Sequence, residues 1–269
     1  MHAVVQRCRF RKNARFHQRY SAAFTIAELL VVISIIALLA TISLPALKGL
    51  GKGTASSGAQ RQLLDDLALA RLRAISGRTT VYMVFVSSNI WDRFAGETDQ
   101  KTLSQLTNLV SGQYTAYAML IKRAVGDQPG RENSRYISEW KRLPERMMIA
   151  PYKFRNGVGP AGYPLEYQVP FTNDVSGALP FPRTGVYKPG FELRYIGFDS
   201  QGRLLSGRDE LIPLAEGSIF FSRDSNDRLK PGPADVVMKP SDNYTNNFIR
   251  INWLTGRASV DEYTRPKFK

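Results

Sequence analysis

The feature that most constrains this chain is an apolar run near its N-terminus, residues 24–44, with the sequence FTIAELLVVISIIALLATISL. Its only charged residue is Glu28. An α-helix needs roughly 20 predominantly apolar residues to cross the hydrocarbon core of a bilayer. The run therefore predicts a transmembrane helix, which we place at residues 24–47.

The residues before the run predict its orientation. Residues 1–23 contain six of the 37 basic residues and none of the 23 acidic ones, and positive charge beside a membrane segment stays in the cytoplasm. The chain from residue 48 onward is then expected on the other side of the membrane. A secretory signal peptide fits less well, because its apolar core is about 7–15 residues long and ends in a small-residue cleavage site.

Glu28 sets this segment apart from a plain membrane anchor. A charged side chain costs about 2.5–3.5 kcal/mol at the centre of a membrane helix and by default marks function. Residues 23–30, AFTIAELL, resemble the cleavage and N-methylation signal of type IV prepilins. In that signal a basic leader ends in a small residue, Phe follows the cut, and Glu is the fifth mature residue. Ala23 stands where Gly is usual, and Pro45 stands where the family often has a proline.

The resemblance implies a specific maturation. A prepilin peptidase would cleave between Ala23 and Phe24, remove the leader of residues 1–23 and methylate the new amine of Phe24. Glu28 would pair with that amine on a neighbouring subunit and set the register of assembly, because an unpaired charge is costly in an apolar setting. Pro45 would kink the helix. The implied partners are the peptidase, the inner membrane, and other pilin-like subunits packed through the N-terminal helix.

The composition of residues 24–269 excludes much chemistry. Cys8, His2 and His17 all lie in the leader, so the remainder has no disulfide, no Cys or His metal ligand, no Ser-His-Asp triad and no Cys nucleophile. Its net charge is +8, against +14 for the whole chain. The sequence contains no phosphate-binding loop, paired catalytic carboxylates or nucleophile elbow, and we therefore predict that the protein is not an enzyme.

After the membrane segment the sequence predicts a joint and then a helix. Residues 48–58 contain four glycines, each costing a helix about 1 kcal/mol relative to Ala, so a flexible helical joint and a full break both remain open. Residues 59–76 form an amphipathic helix that Gly77 ends. Its expected apolar face comprises Leu63, Leu67, Ala70 and Ala74. The polar residues expected on the other face are Arg61, Asp65, Asp66 and Arg73.

The following residues predict strands and long loops. Residues 79–87 are strongly β-forming. Residues 88–190 are irregular and rich in proline, and we interpret them as a loop-rich insertion that carries partner specificity. Within this insertion the pattern predicts a strand at 114–122 and a short helix near 134–143.

The C-terminal part returns to short strands. These are predicted at residues 191–198, 203–205, 210–214, 217–222, 248–253 and 257–260, with turns at 199–202 and 254–256. The helix before residue 79 and the motifs around Phe198 and Gly256 resemble the GspH- and FimT-like minor pseudopilins. The expected fold is therefore α+β and pilin-like, with a long N-terminal helix packed on an antiparallel sheet in a head of residues 59–269.

Two weaker binding sites are suggested by local composition. Asp224, Asn226 and Asp227, with Asp235 further along, offer the oxygen ligands that calcium prefers, although a solvated turn explains them as well. The C-terminal tail mixes basic and aromatic residues that could hold single-stranded nucleic acid, and a solvated tail is the alternative. The tail residues concerned are Arg257, Tyr263, Arg265, Lys267, Phe268 and Lys269.

The resemblance implies a structural function. The expected protein is a minor pseudopilin of a type II secretion-like system, anchored by a single pass in a bacterial inner membrane with its head in the periplasm. Two alternatives stay open: a minor pilin of a type IV pilus, used for adhesion or DNA uptake, and a membrane-anchored binding domain that is never processed. No cofactor is expected unless calcium binds.

Overall fold

A computed structural model describes residues 25–87, 90, 98–130, 133–155, 163–171, 174–175, 179–180, 187–188, 193–227, 229–230, 234–239 and 247–263, with the backbone alone at 42–54, 101–102, 174–175, 179–180, 187–188, 239 and 262. The chain divides into two compact units, Met1–Leu50 and Gly51–Lys269. The described residues are α+β, and their paired strands are antiparallel. This confirms the predicted fold class at that level.

Helix α1, Ile26–Ser76, begins in the first unit and ends in the second. Its backbone is helical throughout residues 48–58, so the four glycines there do not interrupt it. Every residue from 25 to 41 is exposed. Among the residues whose side chains the structure describes, no helix offers a stretch long and apolar enough to cross a membrane.

In the second unit, α1 buries one face. Leu63, Leu67, Ala70 and Ala74 are fully buried, as the helical spacing predicts. The expectation for Asp66 was wrong, because it is 3% exposed. Its carboxylate accepts a hydrogen bond from the Tyr117 hydroxyl (2.7 Å) and pairs with the Lys141 ammonium, and these partners satisfy a charge that could not otherwise be buried.

The end of α1 is a Schellman motif centred on Arg78. The Thr79 N–H donates to the carbonyl of Ala74 and the Arg78 N–H to that of Ile75, both at 3.2 Å. Arg78 takes the left-handed position of this motif, with φ 45°. The helix ends where the sequence predicts, but Gly77 is not its left-handed residue.

The first sheet lies on α1. Its strands, in spatial order, are β3, β2, β1, β9 and β6, with β4 also paired to β2. Their bounds are β1 Val81–Phe85, β2 Ala116–Ile121, β3 Arg135–Tyr136, β4 Lys141–Arg142, β6 Asp174–Val175 and β9 Leu193–Phe198. The inward side chains of β1, Val81, Met83 and Phe85, join the core that contains the buried face of α1.

The second sheet also contributes to that core. Its order is β11, β10, β12 and β13, with β5 on the other side of β10. The bounds are β5 Met147–Ile149, β10 Glu210–Phe220, β11 Asp235–Lys239, β12 Asn247–Ile251 and β13 Ala258–Glu262. A separate hairpin pairs β7, Leu179–Pro180, with β8, Tyr187–Lys188. Ile249 and Ile251 of β12 pack in the same core as α1.

A second apolar core lies on the opposite face of the first sheet. Helix α2, Gln100–Val110, covers this face with Leu106, Leu109 and Val110. The strands contribute Val84, Ala118 and Leu120, which are all nearly inaccessible to solvent. The central strands β1 and β2 are therefore buried on both faces, which explains their almost continuous apolar sequence.

Residues 88–190 do more than form loops on the surface. The predicted strand at 114–122 is confirmed as β2, and it is a direct neighbour of β1. The predicted helix near 134–143 was wrong, since this stretch forms β3 and β4 on the edge of β2. A short 3-10 helix, Pro151–Phe154, and a one-turn helix, α3 Leu165–Gln168, bring further aromatic side chains into the cores.

The two predicted C-terminal turns meet each other and the end of α1. Asp199 closes the turn after β9 by accepting hydrogen bonds from the N–H groups of Gln201 and Arg203. Gly256 closes the turn between β12 and β13 with φ 63°. Arg71 of α1 binds the second of these turns, since its guanidinium donates to the Thr255 carbonyl at 2.7 Å, and the Leu204 N–H links the two turns by donating to the Trp253 carbonyl at 2.8 Å.

Candidate functional site

The predicted cleavage site lies outside the described residues. Ala23 and Phe24, the residues expected to flank the cut and to carry the methyl group, both precede the first described residue, Thr25. The geometry of the site therefore begins at Thr25 and Glu28. The backbone of Pro45 is part of α1, while its side chain lies outside the described set.

Thr25 and Glu28 form a capping box at the start of α1. The Glu28 carboxylate oxygen Oε2 accepts hydrogen bonds from the Thr25 N–H and from the Thr25 hydroxyl, both at 2.9 Å. In return, the Thr25 hydroxyl oxygen accepts the Glu28 N–H at 3.2 Å. This reciprocal pattern satisfies donors that the first turn of a helix leaves unpaired.

The capping box gives Glu28 a role within its own chain. A carboxylate in the first turn is also favoured by the positive end of the helix dipole. Both hydrogen bonds use Oε2, and among the described residues nothing donates to Oε1. Glu28 can therefore cap α1 and still present one oxygen to an external cation. The sequence contains the signal for this capping box, Thr-x-x-Glu before an apolar run, although Glu28 was predicted above only as an intermolecular partner.

The helix that follows exposes apolar side chains in every direction. The exposed fractions range from 46% at Val32 to 84% at Ile26. These large apolar residues occur at ten of the fourteen positions between 26 and 39, so no polar face remains. A helix that is apolar all round requires an apolar environment.

The acidic loop proposed for calcium is organised by its own hydrogen bonds. The Asp224 side chain accepts the Asn226 N–H at 2.8 Å, and the Asp224 carbonyl accepts the Asp227 N–H at 3.1 Å. The Asp227 carboxylate pairs with Arg223 at 3.2 Å. Within the described part of the chain, no group of three or more His, Cys, Asp or Glu residues is arranged to hold a metal ion. These contacts fit the turn interpretation better than the calcium one.

The C-terminal tail is described only as far as Tyr263, so Arg265, Lys267, Phe268 and Lys269 lie outside the described residues. Arg257 is exposed. The ring of Tyr263 packs 4.9 Å from that of Tyr167 and 5.2 Å from that of Tyr163. This ring is part of an aromatic cluster on the head, so packing accounts for it without a bound nucleic acid.

The most deeply buried charged residue among those that the structure describes, Lys153, forms a structural pair with Glu210. The Lys153 ammonium lies 2.9 Å from the Glu210 carboxylate and 3.0 Å from the carbonyl of Val169, to which it donates. Burial lowers the pKa of Lys153, and the nearby Glu210 opposes this shift. A lysine with a lowered pKa can act as a nucleophile when substrate reaches it. Lys153 is only 1% exposed, so this pair instead joins the 3-10 helix to β10.

Comparison with known proteins adds no family assignment. No family model matches the chain, and searches of the curated proteins and of the solved structures return no significant match.

Proposed function

We propose that this chain is a pilin-like structural subunit, most similar to a minor pseudopilin of a type II secretion-like system. The observation that carries the proposal is the change of character along α1. From residue 26 to 39 the helix is apolar and exposed on all sides, and from residue 59 onward it buries a single face against the head. One helix thus contains a segment suited to a membrane or to a bundle of like helices, and a segment suited to holding a globular head.

The proposed maturation follows from the basic leader. Residues 1–23 hold the N-terminus in the cytoplasm, the peptidase cuts between Ala23 and Phe24, and the amine of Phe24 is methylated. The subunit then leaves the bilayer by packing its helix against those of its neighbours. Van der Waals packing supplies most of the assembly energy, and Glu28 selects the register by pairing with the amine of the next subunit.

The capping geometry supports this role for Glu28 in one respect. Because Thr25 holds Oε2, the orientation of the carboxylate is fixed before a partner arrives, and Oε1 is available for the amine. Fixing a charged group in advance lowers the entropy cost of forming the pair. Thr25 and Glu28 both remain in the chain after the proposed cut.

The same geometry favours a second candidate function, a membrane-anchored binding domain that is never processed. In that case Glu28 serves only to cap α1, and no intermolecular pair is needed to explain it. A minor pilin of a type IV pilus would share the maturation of the first candidate, and it would be recognised by loss of surface fibres or transformation, not loss of secretion, in a deletion strain.

The test of the proposed function is the intact mass and N-terminal residue of the protein purified from its native membrane, with and without an active prepilin peptidase. We expect a chain that begins at methylated Phe24 only when the peptidase is active. A chain that keeps residues 1–23 in both strains would overturn the pilin-like assignment and leave the unprocessed anchor.

A matched pair of variants separates the two roles of Glu28. Glu28→Gln keeps an oxygen that can cap the helix but removes the charge, whereas Glu28→Ala removes both. If Glu28 pairs with an amine, both variants should lose assembly, measured by cross-linking to partner subunits, while the head stays folded. Normal assembly of Glu28→Gln would contradict the pairing and leave capping as the role of this residue.

A further inference from the structure

A cavity of about 390 Å³ opens between the end of α1 and the first sheet, within the second unit. Its aliphatic lining comes from Val81, Ile121, Ala124 and Ile137. Val81 and Ile121 are 0% and 5% exposed, so they support the cavity from beneath, and Ala124 and Ile137, which are half-buried, provide its accessible apolar surface. The volume falls at the small end of the range of about 300–1,000 Å³ for ligand pockets, which suits a compact ligand.

The cavity contains one cationic group, Arg73. Its NH1 donates to the carbonyl of Ile137 across the cavity. A guanidinium has five N–H donors, and no other hydrogen bond from Arg73 is found among the described residues. Donors therefore remain for an incoming acceptor, in a fork that matches the two oxygens of a carboxylate.

The surroundings of the cavity are also positive. Arg78 follows α1 directly and Arg123 follows β2, and both are exposed. The acidic residue on the loop after β2, Asp127, is already neutralised: it accepts the Ala124 N–H at 2.6 Å and pairs with Arg135 at 3.4 Å. The charge near the opening thus favours an anion, while the aliphatic lining favours a hydrocarbon chain.

Gly77, which also lines the cavity, lies in a turn that has little room for a side chain. A Cβ added to Gly77 would lie 2.9 Å from the carbonyl oxygen of Arg73 and 3.3 Å from the Thr79 methyl group. Any side chain at this position would therefore disturb the turn that carries Arg73. This constraint explains why a glycine stands here although its own φ is not left-handed.

We infer that this cavity binds a short aliphatic carboxylate. The carboxylate would accept hydrogen bonds from Arg73, and the hydrocarbon would pack on Ala124 and Ile137, above the buried Val81 and Ile121. A fatty acid and the free C-terminus of a peptide that ends in an aliphatic residue share this chemistry. The inference does not depend on the proposed function, because it concerns the head alone and holds whether or not residues 1–23 are removed.

The test is protection of Arg73 from phenylglyoxal, a reagent that modifies guanidinium groups, in the full chain reconstituted in lipid nanodiscs. Modification of each arginine is followed by peptide mass spectrometry. Octanoate at roughly ten times its Kd should slow the reaction of Arg73 roughly tenfold, since only unoccupied protein reacts. Arg71, on the same helix but bound to the Thr255 carbonyl, is the internal control and should not change.

Octanol separates binding from non-specific effects of an amphiphile. It has the same hydrocarbon length but no charge, so it should leave the rate at Arg73 unchanged. Equal protection by octanol and octanoate, or equal protection of Arg71 and Arg73, would overturn the inference. This comparison uses the wild-type chain and does not depend on the folding of any variant.

Two neighbouring substitutions locate the site. Ala124→Phe should fill the cavity and abolish protection, whereas Val125→Phe, at a position that is 78% exposed, should preserve it. Full protection in a folded Ala124→Phe variant would contradict the assignment.

Two leucine derivatives, N-acetyl-leucine and N-acetyl-leucinamide, distinguish the two sources of the ligand. Protection of Arg73 by the acid but not by the amide indicates a peptide C-terminus. Protection by octanoate alone indicates a fatty acid.

Discussion

Substitution of Gly256 by Ala tests the packing of the two C-terminal turns against α1. Gly256 has φ 63°, and a Cβ added there would come far inside 3.0 Å of the Gly202 carbonyl oxygen, a separation that real Cβ atoms essentially never show. The Cβ would also lie 3.1 Å from Cδ of Arg71. The oxygen is part of a second turn, so relief of this contact requires two turns to separate.

The expected cost has two parts. Placing Ala in the left-handed region costs about 1–2 kcal/mol. Overpacking against backbone adds about 1–3 kcal/mol, because a carbonyl cannot rotate away as a flexible side chain can. We therefore expect Gly256→Ala to lower the free energy of unfolding by about 2–5 kcal/mol, a large fraction of the total of about 5–15 kcal/mol for a typical domain.

Gly207 provides the matched control. Its φ is 65°, almost the same as that of Gly256, but a Cβ added there would meet no atom within 4 Å. Gly207→Ala should therefore show only the backbone cost of about 1–2 kcal/mol. The assay is urea unfolding of the full chain in nanodiscs, followed by near-ultraviolet circular dichroism. Equal losses for the two variants would refute the packing argument and leave backbone strain as the whole effect.

Three further predictions follow from single residues. Arg78→Gly should raise the free energy of unfolding by about 0.5–1 kcal/mol, because it relieves the strain of a non-glycine residue in the left-handed position of the helix cap. Arg78→Ala keeps that strain and should change the free energy of unfolding little. A destabilised glycine variant in the same urea assay would contradict this prediction. Lys153→Met should cost up to about 3–5 kcal/mol, because among the described residues it leaves the buried Glu210 carboxylate with only the more distant cation of Arg208, at 3.8 Å. Adding Glu210→Leu should recover most of the loss; a double variant less stable than the single one would show that the pair itself stabilises the head. Partial burial raises the pKa of Asp199, but hydrogen bonds from the N–H groups of Arg203 and Gln201 outweigh this effect and hold the pKa below its usual value. The ionised Asp199 therefore stabilises the fold above the unfolded pKa of about 3.9, and this stabilisation is lost as the pH falls through the folded pKa. Asp199→Asn should therefore be less stable than wild type at pH 7, with the difference shrinking below about pH 4 in unfolding curves measured across pH; a difference that stays constant with pH would contradict the assignment.

Local patterns predicted the parts of the fold that local physics determines. The apolar repeat on α1, the apolar strand β1 and the turn glycines could be identified from neighbouring residues alone. Asp66 could not be placed, because it is buried by partners 51 and 75 residues away in the sequence, Tyr117 and Lys141. Nothing near Asp66 in the sequence indicates that these partners will be present.

Two other errors have the same origin in tertiary contacts. Residues 134–143 have a helix-like pattern, but the edge of β2 draws them into strands, and the hydroxyl of Ser138 accepts the Met119 N–H at 2.8 Å in place of a backbone group. The sequence predicted two short strands, at 210–214 and 217–222, but residues Glu210–Phe220 form the single strand β10, and Pro213 lies inside it. The Pro213 carbonyl accepts the Ala150 N–H on the edge of β10 that faces away from β12. The N–H that proline lacks would lie on the same edge, and there β5 begins to pair only at Leu214.

Of the candidate site, the sequence predicted the residue Glu28 but not its contacts. The resemblance to prepilins directed attention to a partner in another subunit, and the reciprocal bonds with Thr25 in the same chain were overlooked. Arg73 was expected only as a polar surface residue, because the cavity that it enters is formed by strands distant in sequence. Sites made by separate segments leave no signature in any one of them.

The contacts of α1 with β12 also determine when the head can form during synthesis. Gln60 donates to Asn247 at 2.6 Å and Arg71 to Thr255, across separations of 187 and 184 residues. During synthesis the helix therefore leaves the ribosome well before the residues of this hairpin. The part of its surface that packs on β12 and on the following turn must wait for the intervening residues to be translated, and we expect chains truncated before residue 247 to be substrates for proteases and chaperones.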